Sequence, residues 1–194
     1  MTDSPQWSAG LLGTSPITIE RPSSNAGSLA INDRKGTRLG SIRKGGNKFL
    51  RLLNELTDLF PHRPIEIRDS KGQPALRIEQ RGLLRRHIVT VHQHGSPSVC
   101  RLVGKSLPGL RDCGYWVEVD GERVGEVVAD KGSDRIVDAV GIEIAQIAKQ
   151  GGERHGWAVP HYTPLRTTLK HRRRLSDSLA GLALAATLIR HGVL

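Results

Sequence analysis

A short turn motif recurs along the middle of this chain and constrains its fold more than any other feature. Aspartate stands three residues before glycine in segments 33–36 (DRKG), 69–72 (DSKG) and 138–141 (DAVG). Two shorter versions of the turn also occur, Asp120-Gly121 and His94-Gly95. In such turns the carboxylate accepts hydrogen bonds from nearby backbone N–H groups, and glycine tolerates a positive φ. The motif therefore predicts a series of β-hairpins.

The residues around these turns support the hairpin prediction. A short β-prone run precedes each turn, as around Ile65, Ile88 and Tyr115. After four of the glycines an apolar residue occurs at the third and again at the sixth position: Leu39 and Ile42, Ala75 and Ile78, Val124 and Val127, Ile144 and Ile147. This spacing is not strict alternation, and glycine bulges at Gly40 and Gly125 would reconcile it with strands. About five successive hairpins are predicted, which is typical of an antiparallel barrel or sandwich.

Two segments have helical rather than β periodicity. Residues 48–60 (KFLRLLNELTDLF) form a predicted amphipathic helix that Pro61 ends. The second predicted helix covers residues 176–192, with Ser176 as its cap, and carries no charge over residues 178–189. This uncharged stretch is roughly 18 Å long as a helix, too short for the ~30 Å hydrocarbon core of a bilayer. A helix that is apolar all round must be buried, so we expect it to fill the interior of the barrel.

The ends and the composition of the chain suggest a simple organisation. Residues 1–16 are rich in Ser, Gly and Pro and are predicted to be a flexible leader, whereas residues 17–194 are predicted to form one domain. The N-terminal segment has neither the basic nor the apolar part of a secretory signal. Two cysteines, Cys100 and Cys113, make no disulfide framework and are expected to be reduced thiols in a cytoplasmic protein.

Four stretches, in this order, resemble the bacterial phospholipid scramblase-related proteins, which are kin to the plant LURP-one-related proteins and to the Tubby C-terminal domain. These stretches are residues 29–44, 48–79, 115–149 and 162–194. Order and spacing carry the resemblance, because no single motif is diagnostic. The resemblance implies a mainly β fold: a closed antiparallel barrel of about twelve strands that encloses a hydrophobic C-terminal helix.

Charge and resemblance together suggest a function. The chain carries 29 Lys and Arg against 19 Asp and Glu, a net charge of +10, which favours a polyanionic partner. We expect a non-enzymatic protein without a cofactor that binds anionic phospholipid or phosphate and associates peripherally with the inner face of the membrane. The eukaryotic scramblases after which this family is named have an acidic calcium-binding segment before the terminal helix. Residues 163–177 are basic there, so calcium-driven scrambling is not expected.

The candidate binding residues fall into three basic groups. The densest is Lys170, Arg172, Arg173 and Arg174, whose arginines can hold a phosphate by their planar donor forks. The second group is Arg81, Arg85 and Arg86, and the third is Arg34, Lys35, Arg38, Arg43, Lys44 and Lys48. The alternative for each group is a solvated surface that only keeps the protein soluble.

Other functions stay open or are not predicted. The same charges could bind nucleic acid without reading sequence, or dock an acidic partner protein. His92, His94, Cys100 and Cys113 lack the paired spacing of a zinc site. No catalytic motif stands in the sequence, neither a nucleophile elbow nor a phosphate-binding glycine loop.

Overall fold

Of the fourteen strands in the described part of the chain, twelve close into one antiparallel barrel in the computed structural model. The structure describes residues 10–20, 29–44, 62–81, 87–105, 114–130, 132–151, 153–155, 161–163, 166–191 and 193. The strands are β1 (Ile17–Glu20), β2 (Ala30–Asn32), β3 (Arg38–Lys44), β4 (His62–Asp69), β5 (Pro74–Arg81), β6 (Ile88–Gln93), β7 (Val99–Gly104), β8 (Tyr115–Val119), β9 (Glu122–Val128), β10 (Ser133–Asp138), β11 (Glu143–Gln150), β12 (Glu153–His155), β13 (His161–Thr163) and β14 (Arg166–His171).

The barrel is a meander that β1 and β14 close. Strands β2 to β11 pair in chain order, β14 pairs with β11, and β1 lies between β14 and β2. Strands β12 and β13 form a separate two-stranded sheet. The predicted mainly β fold and closed barrel of about twelve strands are confirmed. Because consecutive strands alternate in direction, all five short turns lie at one end of the barrel, here named the turn rim; the other end is the opposite rim.

The predicted turns form as the motif requires. Asp33 Oδ1 accepts hydrogen bonds from the backbone N–H groups of Lys35 and Thr37, both at 2.8 Å. Gly36 then adopts a φ of 81°, in the region that favours glycine. The hydrogen bonds that shape this turn therefore all lie within four residues of Asp33.

The bulges that the apolar spacing requires are also present. Gly40 pairs with Ile31 and Arg38 pairs with Asn32, which leaves Leu39 as the extra residue between them. The equivalent residues Ala75, Val124 and Ile144 occupy the same place in the other three hairpins. Gly40 is needed at its position because a Cβ there would clash with the backbone oxygen of Arg68.

Helix α1 (Asp177–Arg190) fills the barrel. Ser176 caps it by accepting a hydrogen bond from the N–H of Leu179 at 3.4 Å, as predicted. All residues from 180 to 188 are buried, so no face of the helix meets solvent. The helix packs on β6, β7 and β14, and a Cβ on Gly181 would lie 3.3 Å from Leu76 of β5. Five of the nine residues from 180 to 188 are alanine or glycine, and at Gly181 a larger side chain would have to displace Leu76.

The outcomes of three further sequence predictions differ from one another. Leu11 and Leu12, assigned to the leader, are 3% and 5% exposed and belong to the core, so the packed chain begins earlier than composition suggested. The predicted amphipathic helix at 48–60 lies outside the described residues. In the described chain, α1 is too short to cross a bilayer and no other helix is present to do so.

Candidate anion-binding site

The link between β14 and α1 crosses the turn rim. Strand β14 ends at His171, which pairs with Ala145 near the start of β11. The helix begins at Asp177 and is buried inside the barrel from Ala180 onward. Residues 172–176 must therefore run from the wall to the centre of the barrel mouth, which brings the predicted arginines to that mouth.

A cleft of about 390 Å³ opens beside this link and is here named the rim cleft. Arg172, Arg173 and Arg174 line one wall together with neighbouring residues of the link. Leu12, Gly13 and Ser15 contribute to the other wall. The backbone N–H of His171 donates to Ser15 Oγ at 2.9 Å, which ties the two walls together.

Two of the three arginines are held by carboxylates of the β10–β11 hairpin. Arg172 Nε lies 2.7 Å from Glu143 Oε1 and its Nη2 donates to Gln146 at 3.1 Å. Arg173 Nη2 lies 2.8 Å from Asp138 Oδ2. Sequence alone placed only Asp177 near the cluster, because the hairpin acids are distant in the chain. Each guanidinium has five N–H donors, so these pairs position the arginines and leave donors for a ligand.

Arg174 differs from its two neighbours. It is exposed and has no ion-pair or hydrogen-bond partner among the described residues. Asp177 also lines the cleft and is the nearest acid in sequence to Arg174. An incoming anion would therefore meet one uncommitted guanidinium, two held guanidinium groups and one opposing carboxylate.

Lys170 and His171 do not add positive charge to the cleft. Thr167 and Leu169 of β14 point inward, so alternation turns Lys170 to the outer face, where it is exposed and does not line the cleft. His171 does line the cleft, but burial lowers the pKa of its imidazole below the ordinary value of 6.5. At neutral pH His171 is therefore predominantly uncharged.

The second basic group lies away from the rim cleft. Arg81 is the last residue of β5 and so stands at the opposite rim. Arg85 and Arg86 lie outside the described residues. The described member of this group therefore has its backbone at the other end of the barrel from the cleft arginines.

Part of the third group shares the turn rim with the cleft. Arg34, Lys35 and Arg38 are exposed around the β2–β3 turn, and β1 alone separates β2 from β14. Arg43 lies further along β3 toward the opposite rim, and Lys48 is outside the described residues. The topology thus gathers cations of two sequence-distant groups along one arc of the turn rim.

A buried charge network at the other end of the helix had no signal in the sequence. Asp134 of β10 has a side chain only 1% exposed, and its Oδ2 lies 3.0 Å from both Lys149 Nζ and Arg190 Nε. These contacts pair opposite charges without hydrogen-bond alignment. Nearby, Tyr115 lies with its ring 5.8 Å from the Arg190 guanidinium and its hydroxyl 2.9 Å from His87 Nδ1.

The histidines and cysteines considered as metal ligands do not form a cluster. His92 and His94 are exposed at the β6–β7 turn, and Cys100 is buried in β7, where burial raises the pKa of its thiol. Cys113 lies outside the described residues. Within the part of the chain that the structure describes, no three His, Cys, Asp or Glu side chains are arranged to hold a metal ion.

The chain matches no protein-family model, no curated protein and no solved structure. Its resemblance to the scramblase-related proteins therefore stays a prediction from sequence.

Proposed function

We propose that this protein is a non-enzymatic phosphate-binding barrel that associates peripherally with membranes by contacting anionic phospholipid headgroups. The rim cleft carries this proposal: three guanidinium groups on one short link beside a cavity of about 390 Å³. Arginine forks match the geometry of phosphate oxygens, and charge assistance makes such hydrogen bonds strong.

The ion pairs already present do not prevent such binding. The side chains of Arg172 and Arg173 are 46% and 53% exposed, and exposed ion pairs are worth only about 0–1 kcal/mol. A phosphate can therefore share these arginines or displace their carboxylates at little cost. Arg174 needs no displacement at all.

The decisive variant changes Arg172, Arg173 and Arg174 together to Gln. Each basic residue near an anionic surface contributes about 1 kcal/mol, so three should weaken binding roughly a hundredfold. Binding is measured by co-sedimentation with vesicles of phosphatidylserine and phosphatidylcholine. Vesicles of phosphatidylcholine alone should bind neither protein, and added salt should weaken the wild-type interaction.

A matched control separates this site from general surface charge. Arg77, Arg101 and Arg135 are exposed on the barrel wall, and changing them to Gln lowers the net charge equally, from +10 by 3 to +7. Equal losses in the two triple variants would mean that overall charge alone is responsible. If the cleft variant binds as well as the wild type, the three arginines are only part of a solvated loop and do not bind phosphate.

Two further experiments test the effect of negative charge in the cleft and the class of ligand that binds. Asp177→Asn removes the opposing carboxylate of the cleft and should strengthen vesicle binding several-fold. Duplex DNA is the competing polyanion. Tight binding to DNA without binding to acidic vesicles would replace the lipid proposal with a nucleic-acid one.

A further inference from the structure

Three turns at the turn rim share one hydrogen-bond pattern but differ at their tips. In each, Asp Oδ1 accepts from the backbone N–H groups two and four residues later, at distances of 2.8 to 3.1 Å. The residues at those two positions are Lys35 and Thr37, then Lys71 and Gln73, and finally Val140 and Ile142. The other two turns adopt the same geometry with polar residues at these positions. The turn itself therefore does not require Val140 and Ile142.

Neither apolar side chain is used in packing. Val140 is 78% exposed and Ile142 is 57% exposed, and they are the exposed large apolar residues of the described chain. Single exposed apolar residues are ordinary, but here two of them occupy one turn tip.

The position of this tip relative to the rim cleft supplies the second observation. Asp138 and Glu143 flank the tip, and they are the residues that hold Arg173 and Arg172. The apolar tip is thus attached directly to the arginine wall of the cleft. An apolar tip beside cations is the arrangement that suits the boundary between headgroups and acyl chains of an anionic bilayer.

We propose that Val140 and Ile142 insert into the interface of an anionic bilayer, so that the protein docks with its turn rim on the membrane. This inference rests on the proposed function, because the cleft arginines would hold phosphates of the same leaflet. The docked orientation directs the N-terminal end of α1 toward the lipid and the buried network at Arg190 away from it.

The first test changes Val140 and Ile142 together to Gln, the residue already present at position 73 of the equivalent turn. Removing both apolar side chains from an interface should weaken binding to phosphatidylserine-containing vesicles roughly tenfold to a hundredfold. Thermal unfolding should be unchanged, because neither side chain is packed. Undiminished vesicle binding by this folded variant would overturn the proposal.

The second test reports insertion directly and has a matched control. The emission that Val140→Trp adds to that of Trp7, Trp116 and Trp157, obtained by subtracting the wild-type spectrum, should shift to the blue with acidic vesicles and be quenched by lipids brominated on their acyl chains. Lys71→Trp occupies the same turn position on the far side of the barrel and should be quenched much less. Equal quenching, or none, at the two positions would contradict docking through the β10–β11 tip.

The two proposals fail in different ways. If the tip variant loses vesicle binding while the Arg172, Arg173 and Arg174 variant keeps it, the tip inserts but the cleft binds no phosphate. If the arginine variant loses binding while the tip variant keeps it, the cleft proposal survives and the insertion proposal is wrong.

Discussion

The two ends of helix α1 both carry arginines paired with carboxylates, yet the pairs lie in opposite environments. At the N-terminal end, the Arg172–Glu143 pair has side chains 46% and 27% exposed. At the C-terminal end, the Arg190–Asp134 pair has side chains 16% and 1% exposed, and Lys149 joins it. Both pairs join an arginine to a carboxylate, and the main difference between them is burial.

Burial sets what each pair can do. Water screens the exposed pair, so its arginine is held loosely and keeps donors for a ligand. The carboxylate of Asp134 has lost its hydration and is compensated by Lys149, by Arg190 and by the backbone N–H of Asp130, so it ties the C-terminal end of the helix to β10. The buried pair therefore stabilises the C-terminal end of α1, whereas the exposed pair leaves its arginine accessible at the N-terminal end.

The largest effect should come from removing the buried carboxylate. Asp134→Ala removes the carboxylate that Lys149 and Arg190 share and should cost about 3–5 kcal/mol of unfolding free energy. Urea denaturation measures this loss, and Glu122→Ala, which removes an exposed carboxylate from β9, provides the control. A loss as small as that of the control would mean that the buried carboxylate of Asp134 contributes no more to stability than an exposed one.

An intermediate effect is expected from Asp138→Ala, because this carboxylate accepts two backbone N–H bonds and also pairs with Arg173. Asp69→Ala is the matched control: Asp69 accepts the same two bonds but has no arginine partner among the described residues. The excess loss in Asp138→Ala, measured by thermal unfolding, reports the Arg173 pair. That excess should shrink in 1 M salt, and an excess insensitive to salt would argue against an exposed pair.

The stability from Asp138 should also depend on pH in a defined direction. The backbone N–H of Ile142 lowers the pKa of Asp138 below its ordinary 3.8, and the backbone N–H of Val140 and the guanidinium of Arg173 do so to a lesser extent. A lowered folded-state pKa gives stability that is present above 3.8 and is lost as the pH falls through the folded value. The gap in stability between wild type and Asp138→Ala should therefore narrow under acid. A gap that widens below pH 3.8 would contradict this assignment.

The smallest effect on stability should come from breaking the exposed Arg172–Glu143 pair at the turn rim. Arg172→Gln breaks an exposed ion pair and should change the unfolding free energy by less than about 1 kcal/mol. It should nevertheless weaken binding to acidic vesicles several-fold. A large loss of stability without a loss of binding would reverse the roles assigned to the two ends.

How far the sequence predicted the fold follows from the range of the interactions involved. The turn at Asp33 depends on hydrogen bonds within four residues, and the cap at Ser176 reaches only to Leu179, so local patterns sufficed for both. The bulge beside Gly40 was predictable because it shifts the apolar spacing. Burial of α1 followed from its lack of any charged face.

The candidate site was predictable only in part. Residues 170–174 are adjacent in sequence, so their common position at the barrel mouth could be predicted. That Lys170 turns to the outer face depends on the register of β14, and that Arg81 lies at the opposite rim depends on strand direction. The sequence of the turn at 138–141 contained the apolar tip, but nothing local indicated its exposure or its neighbours.

The sequence by itself therefore determined the turns, the bulges, the helix cap and the need to bury the helix, because each depends on residues a few positions apart. Only the tertiary structure decided which charges meet. Glu143 reaches Arg172, and Asp134 reaches Lys149 and Arg190, through strand pairings that join distant parts of the chain. Closure of the barrel also decided how deeply these charged groups are buried. As a result, the carboxylate of Asp134 is buried at one end of α1, and the arginine cleft is accessible at the other.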